Sequence, residues 1–240
     1  MKIVQILRMM LWKTGFDVVK FKPTSHPIAR RKMFFKLYDI DLVLDVGANT
    51  GQFAEQARHF LDYNKKIISF EPMSNSFDDL QEKATSDPLW EPFQIALGDE
   101  NGSQVINIAG NSYSSSLLDM LETHLNSAPE SRYIGTEEIE VKTLDSIFSD
   151  LCVDESNIFL KIDTQGFESK VLKGAENSLN KIHTIQIEMS LVPLYKDEMV
   201  FDDMCLLLRE KGYTLVALEP GFGDAASGQL LQVDGIFHRF

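Results

Sequence analysis

Residues 42–53 read Leu-Val-Leu-Asp-Val-Gly-Ala-Asn-Thr-Gly-Gln-Phe. An apolar run closes on Asp45, Gly47 and Gly51 bracket a short loop, and a helix-like segment follows. A second apolar run, Ile67-Ile68-Ser69-Phe70, ends in Glu71, twenty residues after Gly51. Strand, glycine turn, helix, strand and terminal acid are the layout of a nucleotide-binding βαβ unit. The glycines let the backbone turn tightly and approach a ligand closely.

Two details separate the ligands such a unit could take. A pyrophosphate loop reads Gly-x-Gly-x-x-Gly and presents bare amides to a dianion. Here the spacing is Gly-x-x-x-Gly and Asp45 stands just ahead of it. A carboxylate there repels diphosphate and suits a ligand with an ammonium or sulfonium group. S-adenosylmethionine (SAM) carries both, with a ribose for Glu71. A bare strand–turn–helix would explain the glycines alone, but not Asp45 and Glu71 in register.

The chain has 240 residues, 44% of them hydrophobic, enough for one α/β domain with decoration. The net charge of −13 argues against a nucleic-acid partner, which needs a basic surface. Residues 1–36 differ: nine Lys or Arg against the single acid Asp17 give a local balance of +8, leaving about −21 for the rest. This stretch reads as a basic N-terminal helical extension to a domain at 37–240. The apolar positions Ile3, Ile6, Leu7, Met10 and Leu11 follow helical spacing. Packing on the domain or on a second subunit, as in a homo-oligomer, is the simpler reading; peripheral docking on an anionic membrane is the alternative. Cys152 and Cys205 lack zinc-type spacing and need no disulfide, so a reducing, cytoplasmic setting is expected.

Apolar runs alternate with amphipathic segments, the signature of a parallel sheet covered by helices. The pattern predicts strands at 42–46, 66–71, 93–97, 159–163, 184–189, 213–219 and 230–238. Helices are predicted at 52–61, 75–84, 167–173 extending to 179, and 200–211. The last two strands are joined by Pro220-Gly221-Phe222-Gly223-Asp224, too short for a crossover helix, so they pair antiparallel. A mostly parallel seven-stranded sheet with a terminal antiparallel strand is the Rossmann-like class I methyltransferase fold. Residues 100–143 read as an insertion over the active site, with a hairpin turn at Glu100-Asn101-Gly102, strands near 104–108 and 137–141, and a helical stretch at 117–131.

Further runs carry a family likeness: Leu44-Asp45-Val46-Gly47-Ala48-Asn49-Thr50-Gly51, Phe70-Glu71-Pro72, Ala96-Leu97-Gly98-Asp99, Val141-Lys142-Thr143-Leu144-Asp145, and Leu160-Lys161-Ile162-Asp163-Thr164-Gln165-Gly166-Phe167-Glu168. In this order and spacing the chain resembles the FkbM-type SAM-dependent methyltransferases from about His26 onward. The resemblance implies an O-methyltransferase whose acceptor is a hydroxyl of a sugar, a glycan precursor or a secondary metabolite. An N-methyltransferase, a SAM-binding module without catalysis and a nicotinamide-linked oxidoreductase are the rivals.

Ligands of a doubly wound sheet sit beyond the carboxyl ends of its strands. Asp45, Glu71, Asp163, Glu188 and Glu219 each close or nearly close a predicted strand. Asp45 is assigned to the ammonium side of SAM, Glu71 to its ribose, and Gly47, Ala48, Asn49 and Gly51 to the loop around its methionine part. Asp99 is assigned to the adenine amino group, with a plain turn residue as the equal alternative. A hydroxyl acceptor needs its proton removed. Asp163 and Glu188, on neighbouring strands, are the candidates, and two close carboxylates can share a proton or bind a cation; an anchor for the SAM amino group is the other reading of Asp163. Glu168 is a further catalytic candidate, balanced against a helix-start role. His59 and His124 read as surface residues, His183 and His238 as structural, and no cluster has zinc spacing, so no metal ligand is assigned. Tyr113, Ser114–Ser116 and the 220–224 loop are placed around the pocket, and Asp234, in an apolar run, needs a partner.

Overall fold

The computed structural model describes residues 3–152 and 154–240, with Ile3 and Val4 described by backbone alone; Met1, Lys2 and the Ile3 side chain of the predicted extension lie outside the described residues. Two helices come first, α1 (Ile3–Trp12) and α2 (Pro27–Leu37). The alternating part follows as β1 (Leu42–Val46), α3 (Gln52–Phe60), β2 (Lys66–Phe70), α4 (Ser74–Ala84) and β3 (Trp90–Phe93). Next come β4 (Ala96–Leu97), β5 (Gly102–Ala109), α5 (Glu122–Ser127), β6 (Tyr133–Lys142) and α6 (Leu144–Leu151). The chain closes with β7 (Ile158–Ile162), α7 (Glu168–Lys173), β8 (Ile182–Ser190), α8 (Phe201–Glu210), β9 (Thr214–Pro220) and β10 (Gln232–His238).

The main sheet has the order β3-β2-β1-β7-β8-β10-β9. Its pairings are parallel except those of β10, which runs antiparallel to both β8 and β9. This is the Rossmann-like class I methyltransferase fold. Because side chains alternate along a strand, the sheet has two distinct faces. Leu42, Leu44, Leu160, Ile162, Ile185 and Ile187 join Leu144, Val171, Leu172, Met204 and Leu208 in one apolar core with α6, α7 and α8. Val43, Ile67 and Phe159 face the other way and pack with Phe35 of α2, Phe53 of α3 and Leu80 of α4. Towards the carboxyl ends of the parallel strands this second face turns polar, through Asp45, Ser69, Lys161, Gln186 and Glu188, with Asp234 of antiparallel β10 opposite Glu188.

Four expectations need correction. The third strand of the sheet is Trp90–Phe93, while Ala96–Leu97 pairs with β6 in a separate three-stranded sheet, β4-β6-β5. Pro92 masks the strand in the sequence, yet β3 is an edge strand, where proline is tolerated. The Glu100–Gly102 turn does not close a hairpin, because β4 and β5 both pair with β6 and not with each other. Within 117–131 only α5 is α-helical, followed by one 3-10 turn at Pro129–Ser131, and α7 stops at Lys173 instead of reaching 179. The two helices within residues 1–36 differ in burial. Ala29, Phe34 and Phe35 of α2 are buried in the domain, whereas α1 exposes Leu7, Met10 and Trp12.

Candidate active site

A cavity of about 440 Å³ opens over the carboxyl ends of β1, β2, β7 and β8. The 47–49 loop, Glu71, Asp163, Glu188, Gln186 and Asp234 line it, together with Ala96, Leu97, Ile106 and Ser112–Ser115 of the small sheet region, which form the roof. The roof is tied down by a backbone bridge from Asn107 to Ser116 and another from Met120 to Tyr195.

The loop is built by backbone close approach. Gly47 has φ +74, and a Cβ there would lie 1.8 Å from the Asp163 carbonyl oxygen, so only glycine lets the loop lie against the end of β7. Gly51, φ +85, starts α3 and packs against the Trp90 ring; it does not reach the cavity wall. Asn49 takes a left-handed conformation, φ 48, and its side-chain oxygen accepts from the Thr50 N–H at 2.7 Å. Glu71 is buried, with one oxygen accepting from the Asn49 N–H at 2.8 Å and the other from the Met73 N–H at 3.0 Å. Each oxygen keeps a lone pair, so the carboxyl can accept from a vicinal diol. Burial pushes Glu71 up to about 7, against its two backbone donors.

Asp45 does not reach the cavity. It is fully buried behind the loop and lies 3.4 Å from the Lys161 ammonium, with the Ser69 hydroxyl at 3.5 Å. Burial raises its proton affinity and Lys161 opposes the shift. Lys161 also faces Asp163 at 3.4 Å; burial works against its charge, but Asp163, Asp45 and Asp234 together hold the proton more firmly than usual. The acid that heads the glycine loop is therefore answered from within the protein. Of the carboxylates near β1 and β7, Asp163 is the one in the cavity wall.

Asp163 and Glu188 meet through Gln165. Its amide NH₂ donates to Asp163 Oδ1 at 2.9 Å and to Glu188 Oε2 at 2.6 Å. Its amide oxygen accepts from the Tyr195 hydroxyl at 2.8 Å, and its backbone carbonyl accepts from the Ser116 hydroxyl at 2.6 Å. These contacts hold Gln165 at φ 54, a conformation an ordinary side chain rarely adopts. Glu188 Oε2 accepts a second N–H from Gln232 at 2.8 Å. Burial, followed by the charges of Asp163 and Asp234, lifts the Glu188 proton affinity well above the usual carboxylate range.

Two assigned residues are used elsewhere. Glu168 is buried behind the 163–167 turn, where one oxygen accepts from the N–H groups of Thr164 at 2.8 Å and Gly166 at 3.2 Å. It holds the turn and does not line the cavity. Asp99 is also outside the cavity, ion-paired to Lys170 at 3.2 Å and Lys173 at 3.0 Å. Asp234 finds its partner in Gln186, whose amide donates at 3.2 Å. His124 is buried in the cavity wall, not on the surface, and packs edge-on against Tyr195 and face-on against Phe222.

Residues 45–215 match the family model described as the methyltransferase FkbM domain. The chain belongs to the FkbM methyltransferase family. It is similar to the 2-O-methyltransferase NoeI of Sinorhizobium fredii, with 26% identity over 187 residues, 74% of this chain and 75% of the relative. Among solved structures, it superposes on TehB from Haemophilus influenzae with a TM-score of 0.46 at 11% identity, covering 86% of this chain and 60% of TehB. Aeropyrum pernix fibrillarin, solved with natively bound S-adenosyl-L-methionine, gives 0.46 at 9% identity, covering 81% of this chain and 66% of fibrillarin. The CcbJ methyltransferase of Streptomyces caelestis gives 0.44 at 12% identity, covering 91% of this chain and 98% of CcbJ.

This FkbM-family site thus brings together Gly47, Ala48, Asn49, Glu71, Asp163 and Glu188 from the sequence-based set, and leaves Asp45, Gly51, Glu168 and Asp99 outside the cavity. Sequence reasoning passed over several contributors, Gln186 and Gln232 among them. Gln165 and Lys161 stand inside the 160–168 run but carried no assigned role. Tyr195, fully buried behind Gln165, had no local signal. Arg31 lies in the basic extension, yet α2 brings it into the cavity wall, where it pairs with buried Glu219 at 3.3 Å.

Proposed function

We propose that this methyltransferase is SAM-dependent and methylates a hydroxyl of a sugar, a glycan precursor or a similar polyhydroxylated metabolite. The observation that carries the proposal is the pair of carboxylates, Asp163 and Glu188, locked on one amide in the wall of the cavity that Glu71 also lines. When bound, SAM supplies an activated methyl group. The residues present suit it: Glu71 keeps two free lone pairs for ribose hydroxyls, and the tight Gly47–Asn49 loop leaves room beside the backbone for the methionine part.

Methyl transfer is an in-line displacement, so the chain's work is alignment, exclusion of water and removal of the acceptor proton. Glu188 is the residue suited to take that proton, because a carboxyl with raised proton affinity is a better base near neutrality. Asp163 keeps the affinity of Glu188 high by its charge, and Gln165 and Gln232 fix the orientation of the carboxyl. The mixed lining of Gln186, Gln232 and Asp234 with Phe53 and Phe222 suits a polyol with one apolar face. The similarity to a 2-O-methyltransferase supports a hydroxyl acceptor.

Calorimetry with S-adenosylhomocysteine, followed by turnover with a panel of sugar acceptors, tests this. Glu188→Gln keeps the amide contacts and should bind the cofactor product within about threefold of the native protein. Its kcat should fall at least about 10²-fold, and the acidic limb of the pH profile should flatten. Unchanged kcat in that variant, or turnover confined to amine acceptors, would sink the O-methylation reading.

A further inference from the structure

The segment ahead of α2 exposes an unusual amount of apolar surface. Leu7, Met10, Trp12, Phe16, Val18, Val19 and Phe21 are all exposed, Met10 by 63%, Phe16 by 70% and Phe21 by 63%. Helix α1 leaves Ile6, Leu7 and Met10 facing solvent, not the domain. Cations alternate with the aromatics, as Lys13 follows Trp12 and Lys20 and Lys22 flank Phe21. No ion pair joins Lys13, Lys20 or Lys22 to another described residue, whereas Arg8 is paired to Asp17 at 2.6 Å and sits over the Trp12 ring.

From this we infer that residues 3–22 form a docking arm for an anionic lipid surface. The argument rests on charge and on the kind of apolar surface. Residues 3–22 hold four Lys or Arg against Asp17, a balance of +3, which leaves −16 of the total −13 on the rest of the chain, so an anionic surface attracts the arm and repels the body. Contact is thereby confined to one end of the molecule. A contact between protein copies favours an apolar centre depleted in lysine. Here lysines interleave with Trp and Phe along the same segment, which is the arrangement suited to the headgroup boundary, where rings enter the acyl region and ammonium groups meet phosphates. No helix among the described residues is long and apolar enough to cross a membrane, so the mode is peripheral. Helix α2 follows directly and supplies Arg31 to the cavity wall, so docking tethers the active site close to the surface.

The test is sedimentation of the full chain with vesicles of phosphatidylcholine mixed with phosphatidylglycerol, and with phosphatidylcholine alone. The arm predicts binding to the mixed vesicles only, lost at roughly 0.5 M salt, where screening is nearly complete. A Lys13→Glu, Lys20→Glu, Lys22→Glu variant should lose at least about tenfold in binding, and so should a Leu7→Asp, Met10→Asp variant. Trp12 emission should shift to the blue on binding, since Trp90 is already buried, and Trp12→Phe should abolish the shift. Absence of sedimentation with anionic vesicles overturns the proposal. So does binding that ignores both variants. A dimer in light scattering that Leu7→Asp, Met10→Asp dissolves, without vesicle binding by the native chain, assigns the arm to a second copy instead.

Discussion

Glu168 shows how two readings of one residue separate. As a helix-start acid it caps a turn; as a catalytic acid it would face the acceptor. Its oxygen is taken by the Thr164 and Gly166 N–H groups, and burial pushes it up to about 7 from an ordinary 4.5. A carboxyl whose folded value is raised contributes stability present below pH 4.5 and lost as pH rises through 7. Glu168→Gln can keep the accepting oxygen and removes the buried charge. It should therefore be more stable than the native chain at pH 8 by about 2 kcal/mol in urea titration, with kcat within about threefold. Gln165 is the opposite case, a residue without charge that positions two others. Gln165→Ala should lower kcat about 10- to 100-fold and move the acidic limb of the kcat profile, while changing the affinity for S-adenosylhomocysteine little. Loss of stability alone, with an unmoved pH profile, would reduce it to a structural contact.

The elements that matter most are the turns after β1 and β7, which touch each other. Gly47 lies under the Asp163 carbonyl, so the loop after β1 and the turn after β7 are set by one contact. Gly47→Ala adds a left-handed penalty of about 1–2 kcal/mol and forces the two turns apart. Affinity for S-adenosylhomocysteine should drop at least about tenfold by calorimetry, and kcat should fall with it. A variant that lost stability but bound normally would show the contact to be packing only. Helix α2 works at the same scale: Arg30 and Arg31 meet Glu219 at 3.5 and 3.3 Å, joining the helix to the last pair of strands. Glu219 is buried and would be left short of a counter-charge by Arg31→Met, at a cost of about 3 kcal/mol read from the urea midpoint.

Across the whole molecule, buried carboxyls set the pH response between 4.5 and 8. Glu71 and Glu168 both rise from 4.5 to about 7 through burial, so each favours the folded state less as pH climbs through that window. The urea midpoint should decline from about pH 5 to about pH 8, and Glu168→Gln should flatten part of the slope. A midpoint that rises over that interval would contradict the burial of these groups. Net charge acts in the same direction, since −13 grows more repulsive as carboxyls ionise, and moderate salt should recover part of the loss.

What the sequence by itself determined is what local pattern encodes. Alternating apolar runs and glycine turns located β1, β2, β7, β8 and the antiparallel closing pair to within a residue or two, because strand ends and helix starts follow short-range rules. The same rules placed Glu71, Asp163 and Glu188 at the carboxyl edge, where the cavity lies. Only the tertiary structure decided which acids face that cavity. Asp45 and Asp99 carry the right chemistry at the right ends, yet lysines on other elements, Lys161 and Lys170 with Lys173, neutralise them. Tyr195 reaches Gln165, and Arg31 the cavity wall, from segments far from the motif in sequence. Proline in β3 hid an edge strand that pairing alone reveals. Ion pairs and buried partners join residues distant along the chain, and no local spacing records them.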